Sequence, residues 1–366
     1  MLKHKDHFHG SDLEKIEEIY GIKKEDIVSF SANVNPLGVS ALIKRELASH
    51  IDAISSYPDR EYTKLRSVIA TYCGTERDNI LVGNGATELI TLFIKTVSPK
   101  KAVILGPTYS EYERELSLAG GTSVYFPLNE SEDFELNESS LISTLDESVN
   151  MLILCNPNNP TSTAVTREKI KHILDACKTN NIFVMIDETY IEFCENYDEI
   201  SCVPLTASYN NLCLLRGTSK FFAAPGLRLG YAICGNSELM RNIAAIKDPW
   251  TINSLAEVAG QLMFTDNEYI EATKKLIFSE RAKVVSALRN IDGIKVYEPS
   301  ANFVLSRITK AGINADILFD KAIRSNMMIR NCSSFPYLGN SYFRICFMNP
   351  EDNDRLLAII RSTIEG

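Results

Sequence analysis

Lys220 lies in the run Arg216-Gly217-Thr218-Ser219-Lys220, and Arg228 follows eight residues later inside Gly226-Leu227-Arg228-Leu229-Gly230. An amine preceded by two hydroxyls and followed by a guanidinium can hold an aldehyde that also carries a phosphate. The amine condenses with the aldehyde, the hydroxyls of Thr218 and Ser219 donate to the phosphate, and Arg228 adds charge to it. The cofactor of that description is pyridoxal 5′-phosphate (PLP), held as a Schiff base. A surface lysine after an edge strand would look the same locally, so the weight of the reading falls on residues upstream.

Asp187 ends the apolar run Val184-Met185-Ile186, 33 residues before Lys220. A carboxylate at the end of a buried strand can pair with the pyridinium nitrogen of PLP and keep the ring an electron sink. A helix cap or a structural ion pair would use an aspartate there equally well. Tyr190, three residues on, is a candidate donor to the phenolic oxygen of the ring. Met151-Leu152-Ile153-Leu154 reads as another strand, and the two Asn-Pro steps of Asn156-Pro157-Asn158-Asn159-Pro160 force a turn after it, because a residue before proline avoids the helical region. Asn159 is the candidate there for the same ring oxygen. Gly83-Asn84-Gly85-Ala86-Thr87 carries a strand into a helix, where free N–H groups of Gly85, Ala86 and Thr87 suit a phosphate. It is not a P-loop, since no Gly-Lys-Ser/Thr follows. Tyr109, after the strand Ala102–Leu105, is placed to stack on a ring.

Taken in order, Gly-Asn-Gly-Ala-Thr-Glu, Gly-Pro-Thr-Tyr, Asn-Pro-Asn-Asn-Pro-Thr, Asp-Glu-Thr-Tyr and Thr-Ser-Lys with Gly-Leu-Arg-Leu-Gly resemble the class I/II aminotransferase family, the fold-type I PLP enzymes, over nearly the whole chain. Within it the chain is most similar to the histidinol-phosphate aminotransferase and threonine-phosphate decarboxylase branches. His9-Gly10 and Phe30-Ser31-Ala32-Asn33-Val34-Asn35-Pro36-Leu37-Gly38 look more like the decarboxylase, and Tyr57-Pro58-Asp59 is shared by both. The resemblance implies substrate contacts from His9, Asn33, Arg330 and Arg344. Arg344 would hold the α-carboxylate and Arg330 the distal phosphate; for both, an internal ion pair is the alternative. It also implies a homodimer, with Tyr57 reaching the cofactor phosphate of the partner subunit. Two positions depart from the pattern: Gly217 stands where a phosphate-binding hydroxyl is usual, and Ser11 where a second glycine would be.

These residues need strands to position them. Runs at 80–83, 101–105, 122–127, 151–155, 182–187, 211–215 and 229–234 read as strands, with helices at 86–97, 110–119 and 166–178 between them. Such alternation predicts an α/β fold with a mostly parallel seven-stranded sheet between helices, and candidate ligands at the carboxyl ends of the strands. A smaller α+β unit follows. The expected division is 1–45, an N-terminal segment packing with the small domain; 46–250, the large PLP-binding domain; and 251–366, the small C-terminal domain. At 366 residues the chain can bury a large core. A net charge of -9 argues against general nucleic-acid binding. The nine cysteines form no Cys-x-x-Cys pair and read as small buried hydrophobes in a reducing cytoplasm. No metal site is expected, and no apolar run approaches the length of a membrane span.

The chemistry expected is breakage of one bond at the α-carbon of an amino acid bearing a phosphate or phosphonate. If it is C–H, Lys220 moves the proton and transamination with a 2-oxo acid follows; this is the favoured reading. If it is C–COO, the reaction is a threonine-phosphate-type decarboxylation. A PLP-binding sensor domain is a more distant alternative, since no basic or helix-turn-helix segment accompanies the fold.

Overall fold

The computed structural model describes residues 12–366, so His9 and Ser11 lie outside the described residues. The first strand, β1 (Val28–Ser29), is short. The seven runs read as strands are β2 (Ile80–Asn84), β3 (Lys101–Gly106), β4 (Thr122–Pro127), β5 (Met151–Cys155), β6 (Phe183–Asp187), β7 (Leu212–Gly217) and β8 (Leu229–Ile233). They form one sheet in the order β2-β8-β7-β6-β5-β3-β4. The pairs from β4 through β3, β5 and β6 to β7 are parallel, while β8 runs antiparallel to both β7 and β2. Every residue of β5, β7 and β8 is buried, as a sheet covered on both faces requires. The edge strand β4 has only exposed and half-buried positions.

The expected fold class therefore stands, and one feature was not legible in it. Nothing in the apolar run of β8 separates an antiparallel from a parallel strand. Because β8 reverses direction, β2 runs the same way as β7, and the helix Gly85–Val97 starts on the side where β3, β5, β6 and β7 end.

A second sheet holds β9 (Ile294–Val296), β10 (Phe303–Ile308), β12 (Arg330–Asn331) and β13 (Tyr342–Cys346) in the antiparallel order β12-β13-β10-β9. β11 (Met327–Met328) pairs in parallel with β1, and the N–H of Cys346 donates to the carbonyl of Phe30. β1 and β11 thus make a separate two-stranded sheet, and the segment around residues 28–30 lies beside β13 through the Cys346–Phe30 bond. Helices Ser254–Met263 and Asn267–Arg289 start at Asn253 and Asp266, whose side chains accept from the N–H groups of Ala256 and Tyr269. A Cβ on Gly260 would lie 2.6 Å from Leu65 and 2.7 Å from Leu229, so Ser254–Met263 packs closely on the half that carries the large sheet.

The two sheets are tied at the loop after β4. Glu130 accepts from Arg307 Nη1 at 2.8 Å and from the Tyr297 hydroxyl at 2.6 Å, and Phe134 packs edge-on against Tyr297 and Tyr342. All nine cysteines are buried and unpaired. Among the described residues no helix is long and apolar enough to cross a membrane.

Candidate active site

A cavity of about 360 Å³ opens where the carboxyl ends of the large sheet meet the second sheet. Lys220 enters it from the turn after β7, half-buried, with its Nζ donating to the carbonyl of Ala32 at 2.6 Å. Desolvation, with the charges of Arg344 and Arg228 acting in the same direction, pushes the Lys220 amine down to about 8. A lysine so placed is a nucleophile near neutral pH.

The end of β6 supplies Asp187, only 5 % exposed. Its Oδ1 accepts the Thr189 N–H at 2.9 Å and its Oδ2 the Tyr112 hydroxyl at 2.7 Å. Burial holds this carboxyl above its ordinary value, against the pull of those hydrogen bonds and of Lys220. The next residue fixes the frame. Glu188 is fully buried and accepts from Arg216 Nε at 3.0 Å and Nη2 at 2.6 Å, and its other oxygen takes the Cys202 N–H at 2.7 Å. This buried pair joins the end of β6, which bears Asp187, to the strand that leads into Lys220. A buried charge is tolerated only when so fully paired.

Opposite lies an anion cradle. Gly85, Ala86 and Thr87 begin the helix Gly85–Val97 and line the cavity with Ser219 and Arg228. Gly85 has φ +75°, and a Cβ there would come 2.5 Å from the Arg228 guanidinium. The glycine therefore lets the arginine close on the helix N-terminus, where N–H groups and dipole favour an anion. Tyr109 lines the cavity beside them, its hydroxyl pushed up to about 12, mainly by burial.

The remaining wall is cationic. Arg344 of β13, 4 % exposed, donates to the carbonyl of Ser31 at 2.6 Å and to Asn159 Oδ1, while its Nε is buried without a partner. Arg330 stands opposite it in the β12–β13 pairing and donates to Ser334 at 3.0 Å. Burial first, then the charge of Arg344, pushes Arg330 down to about 10. The partner-free Nε of Arg344 suits an anionic ligand in this cavity. Asn33, 1 % exposed with φ 55°, donates to the Tyr190 hydroxyl at 3.3 Å, and its Oδ1 is left without a partner.

The family model for aminotransferase class I and II matches residues 25–360. The chain belongs to that family. It is 40% identical over 334 residues to a protein of Caldanaerobacter subterraneus subsp. tengcongensis named provisionally as a threonine-phosphate decarboxylase, covering 91% of this chain and 89% of that one. It is 32% identical to the threonine-phosphate decarboxylase of Salmonella typhimurium, over 98% of this chain and 97% of that one. Among solved structures, the histidinol-phosphate aminotransferase from Clostridium acetobutylicum is similar with a TM-score of 0.85 at 32% identity, covering 92% of this chain and 98% of that one.

Of the residues singled out for this aminotransferase-family site, Lys220, Asp187, Tyr190, Gly85, Ala86, Thr87, Tyr109, Asn159, Ser219, Arg228, Asn33, Arg330 and Arg344 all line the one cavity. Thr218 does not: it is fully buried and its hydroxyl donates to the carbonyl of Leu229 at 3.0 Å, which fastens β7 to β8. Tyr57 is 80 % exposed, its ring tilted 4.8 Å from that of Trp250, and also stands outside the cavity of its own chain. At Gly217 a Cβ would find nothing closer than 3.9 Å, so the missing hydroxyl reflects no lack of space. Sequence reasoning missed Tyr112, the Glu188–Arg216 pair, and the loop bearing Ser334, Phe335 and Pro336, which closes one side of the cavity. Glu188 stands within the Asp-Glu-Thr-Tyr motif and Arg216 just ahead of Thr-Ser-Lys, a visible signal. Nothing marked the loop.

Proposed function

We propose that the protein is a PLP-dependent enzyme that breaks a bond at the α-carbon of a phosphate-bearing amino acid, and that the reaction is decarboxylation of the threonine-phosphate type. The observation that carries the cofactor reading is a single cavity with an amine, a buried carboxylate and an anion cradle on three separate walls. Arg228 and the N-terminus of Gly85–Val97 would hold the phosphate, Asp187 the ring nitrogen, Tyr190 and Asn159 the phenolic oxygen, and Tyr109 the ring face. When bound there, PLP supplies an electron sink for the pair released at the α-carbon.

The chain's own groups do the rest. The partner-free Nε of Arg344 and the Oδ1 of Asn33 are buried polar groups that a substrate carboxylate and amine would satisfy. Arg344, anchored by Ser31 and Asn159, cannot swing, so the carboxylate it grips is held at one angle. Arg330 supplies the second positive charge, for a distal phosphate. Lys220, with its amine near 8, serves as proton donor and acceptor at the face where the bond breaks.

Decarboxylation is preferred to transamination because two relatives matched over about nine-tenths or more of their length carry that name. The Clostridium acetobutylicum aminotransferase keeps transamination as the second reading. The buried, unpaired cysteines support a reducing cytoplasm as the compartment.

The test supplies phosphothreonine, histidinol phosphate and phosphonoalanine, each with and without 2-oxoglutarate. Release of CO₂ from phosphothreonine without an acceptor is the expected result. Glutamate formed only with 2-oxoglutarate would make the enzyme a transaminase. For the cofactor, borohydride should fix PLP on Lys220, and a Lys220→Ala variant that kept a reducible adduct would refute the assignment.

A further inference from the structure

We propose that Tyr112 is a positioning residue for the ring-nitrogen carboxylate: its hydroxyl pins Asp187 so that the acid keeps one orientation toward the bound cofactor. The inference rests on the PLP reading above. Tyr112 is 1 % exposed on the helix Glu111–Leu118, and its hydroxyl meets Asp187 Oδ2 at 2.7 Å. The other bonds to Asp187 come from Thr189, through its N–H at 2.9 Å and its side chain, and are local, two residues along the chain. Tyr112 is thus the donor that reaches Asp187 from a separate element, and its bond to Oδ2 with the Thr189 N–H on Oδ1 stops the carboxylate from turning. Cys155 of β5 also borders the cavity; its thiol donates to the carbonyl of Pro157 at 3.3 Å and its sulfur lies against the same Tyr112 hydroxyl.

The phenol can act only as the donor in this pair. Burial, then the charge of Asp187, pushes its hydroxyl well above the usual tyrosine value, so it keeps its proton at any working pH. Burial also favours the protonated acid at Asp187, and a donated hydrogen bond works against that. Without the Tyr112 hydroxyl, the acid would more readily keep the proton it is meant to share with the ring nitrogen. Tyr112 faces Tyr109 edge-on at 5.6 Å, so the same side chain also sets the tyrosine placed to stack on the ring.

The experiment loads the wild-type protein and Tyr112→Phe with PLP labelled with ¹⁵N in the ring and reads the ring-nitrogen resonance. The wild type should show the protonated position. Tyr112→Phe should shift toward the unprotonated one, with kcat lower by about tenfold or more and KM little changed. A purely structural role would lower loading without moving the resonance of the loaded fraction. A variant that loads and shows an unchanged resonance overturns the inference. If Tyr112→Phe does not fold, para-aminophenylalanine at 112 keeps the ring and a weaker N–H donor. A smaller shift in the same direction supports the proposal, and no shift overturns it. A wild type that takes up no labelled cofactor would instead sink the PLP reading, and this inference with it.

Discussion

Lys220 is chemically useful because of where its amine sits rather than because it is a lysine. Its surroundings bring the amine down to about 8 from an ordinary 10.5. A lowered value means that the neutral, nucleophilic form is populated at lower pH. The rate at which apoprotein takes up PLP should therefore rise with pH, reach half its plateau near 8, and stay flat from about 9 upward. Stopped-flow absorbance across pH 6 to 11 reads this directly, and a rise still continuing past 10 would show an ordinary, solvated amine. The motifs made Lys220, Asp187 and Arg228 legible, since each residue type matched one function of a single cofactor. Thr218 and Tyr112 were not legible, for a shared reason. A hydroxyl's partner is chosen by the fold: Thr218 spends its own on Leu229, whereas Tyr112 reaches across 75 residues to Asp187.

At the scale of elements, the strands were readable because β5 to β8 are buried on both faces and so appear as unbroken apolar runs. Sheet order and the reversal of β8 were not, because pairing is decided by which neighbours cover which face. The pairing matters to the site at Gly230 of β8, opposite Gly83 of β2. A Cβ on Gly230 would meet the Ala86 nitrogen at 2.5 Å and the Gly85 carbonyl carbon at 2.5 Å, both backbone atoms that cannot rotate away. Gly230→Ala should therefore push the N-terminus of Gly85–Val97 off the sheet. The expected cost is about 1–3 kcal/mol in urea unfolding, together with weaker PLP retention on dialysis if the displaced N–H groups hold the phosphate as proposed. Gly217→Ser, where nothing lies within 3.9 Å, makes the matched control: its unfolding midpoint should stay close to wild type.

For the molecule as a whole, a site that leaves one of its expected members outside suggests a second copy of the chain. Tyr57 is 80 % exposed, and its ring lies 4.8 Å from that of the exposed Trp250, beside the hydrogen bond from Ser254 to the carbonyl of Ser56. Two exposed aromatic rings paired in this way mark a surface meant to be covered. We propose a two-fold homodimer in which Tyr57 of one subunit completes the phosphate cradle of the other, the interface then being the same patch on both copies. Sedimentation should give twice the monomer mass. The sharper test mixes Tyr57→Ala with Lys220→Ala, each confirmed inactive alone, under conditions that exchange subunits. In a hybrid dimer one site takes its lysine from the first variant and its tyrosine from the second and is intact, while the other site carries both lesions. Random re-pairing makes half the dimers hybrid, each with one working site of two, so activity should return to about a quarter of wild type. If hybrids form, as mass spectrometry of differently tagged subunits would show, and no activity returns, each site is built within one chain and Tyr57 has no part in its partner's.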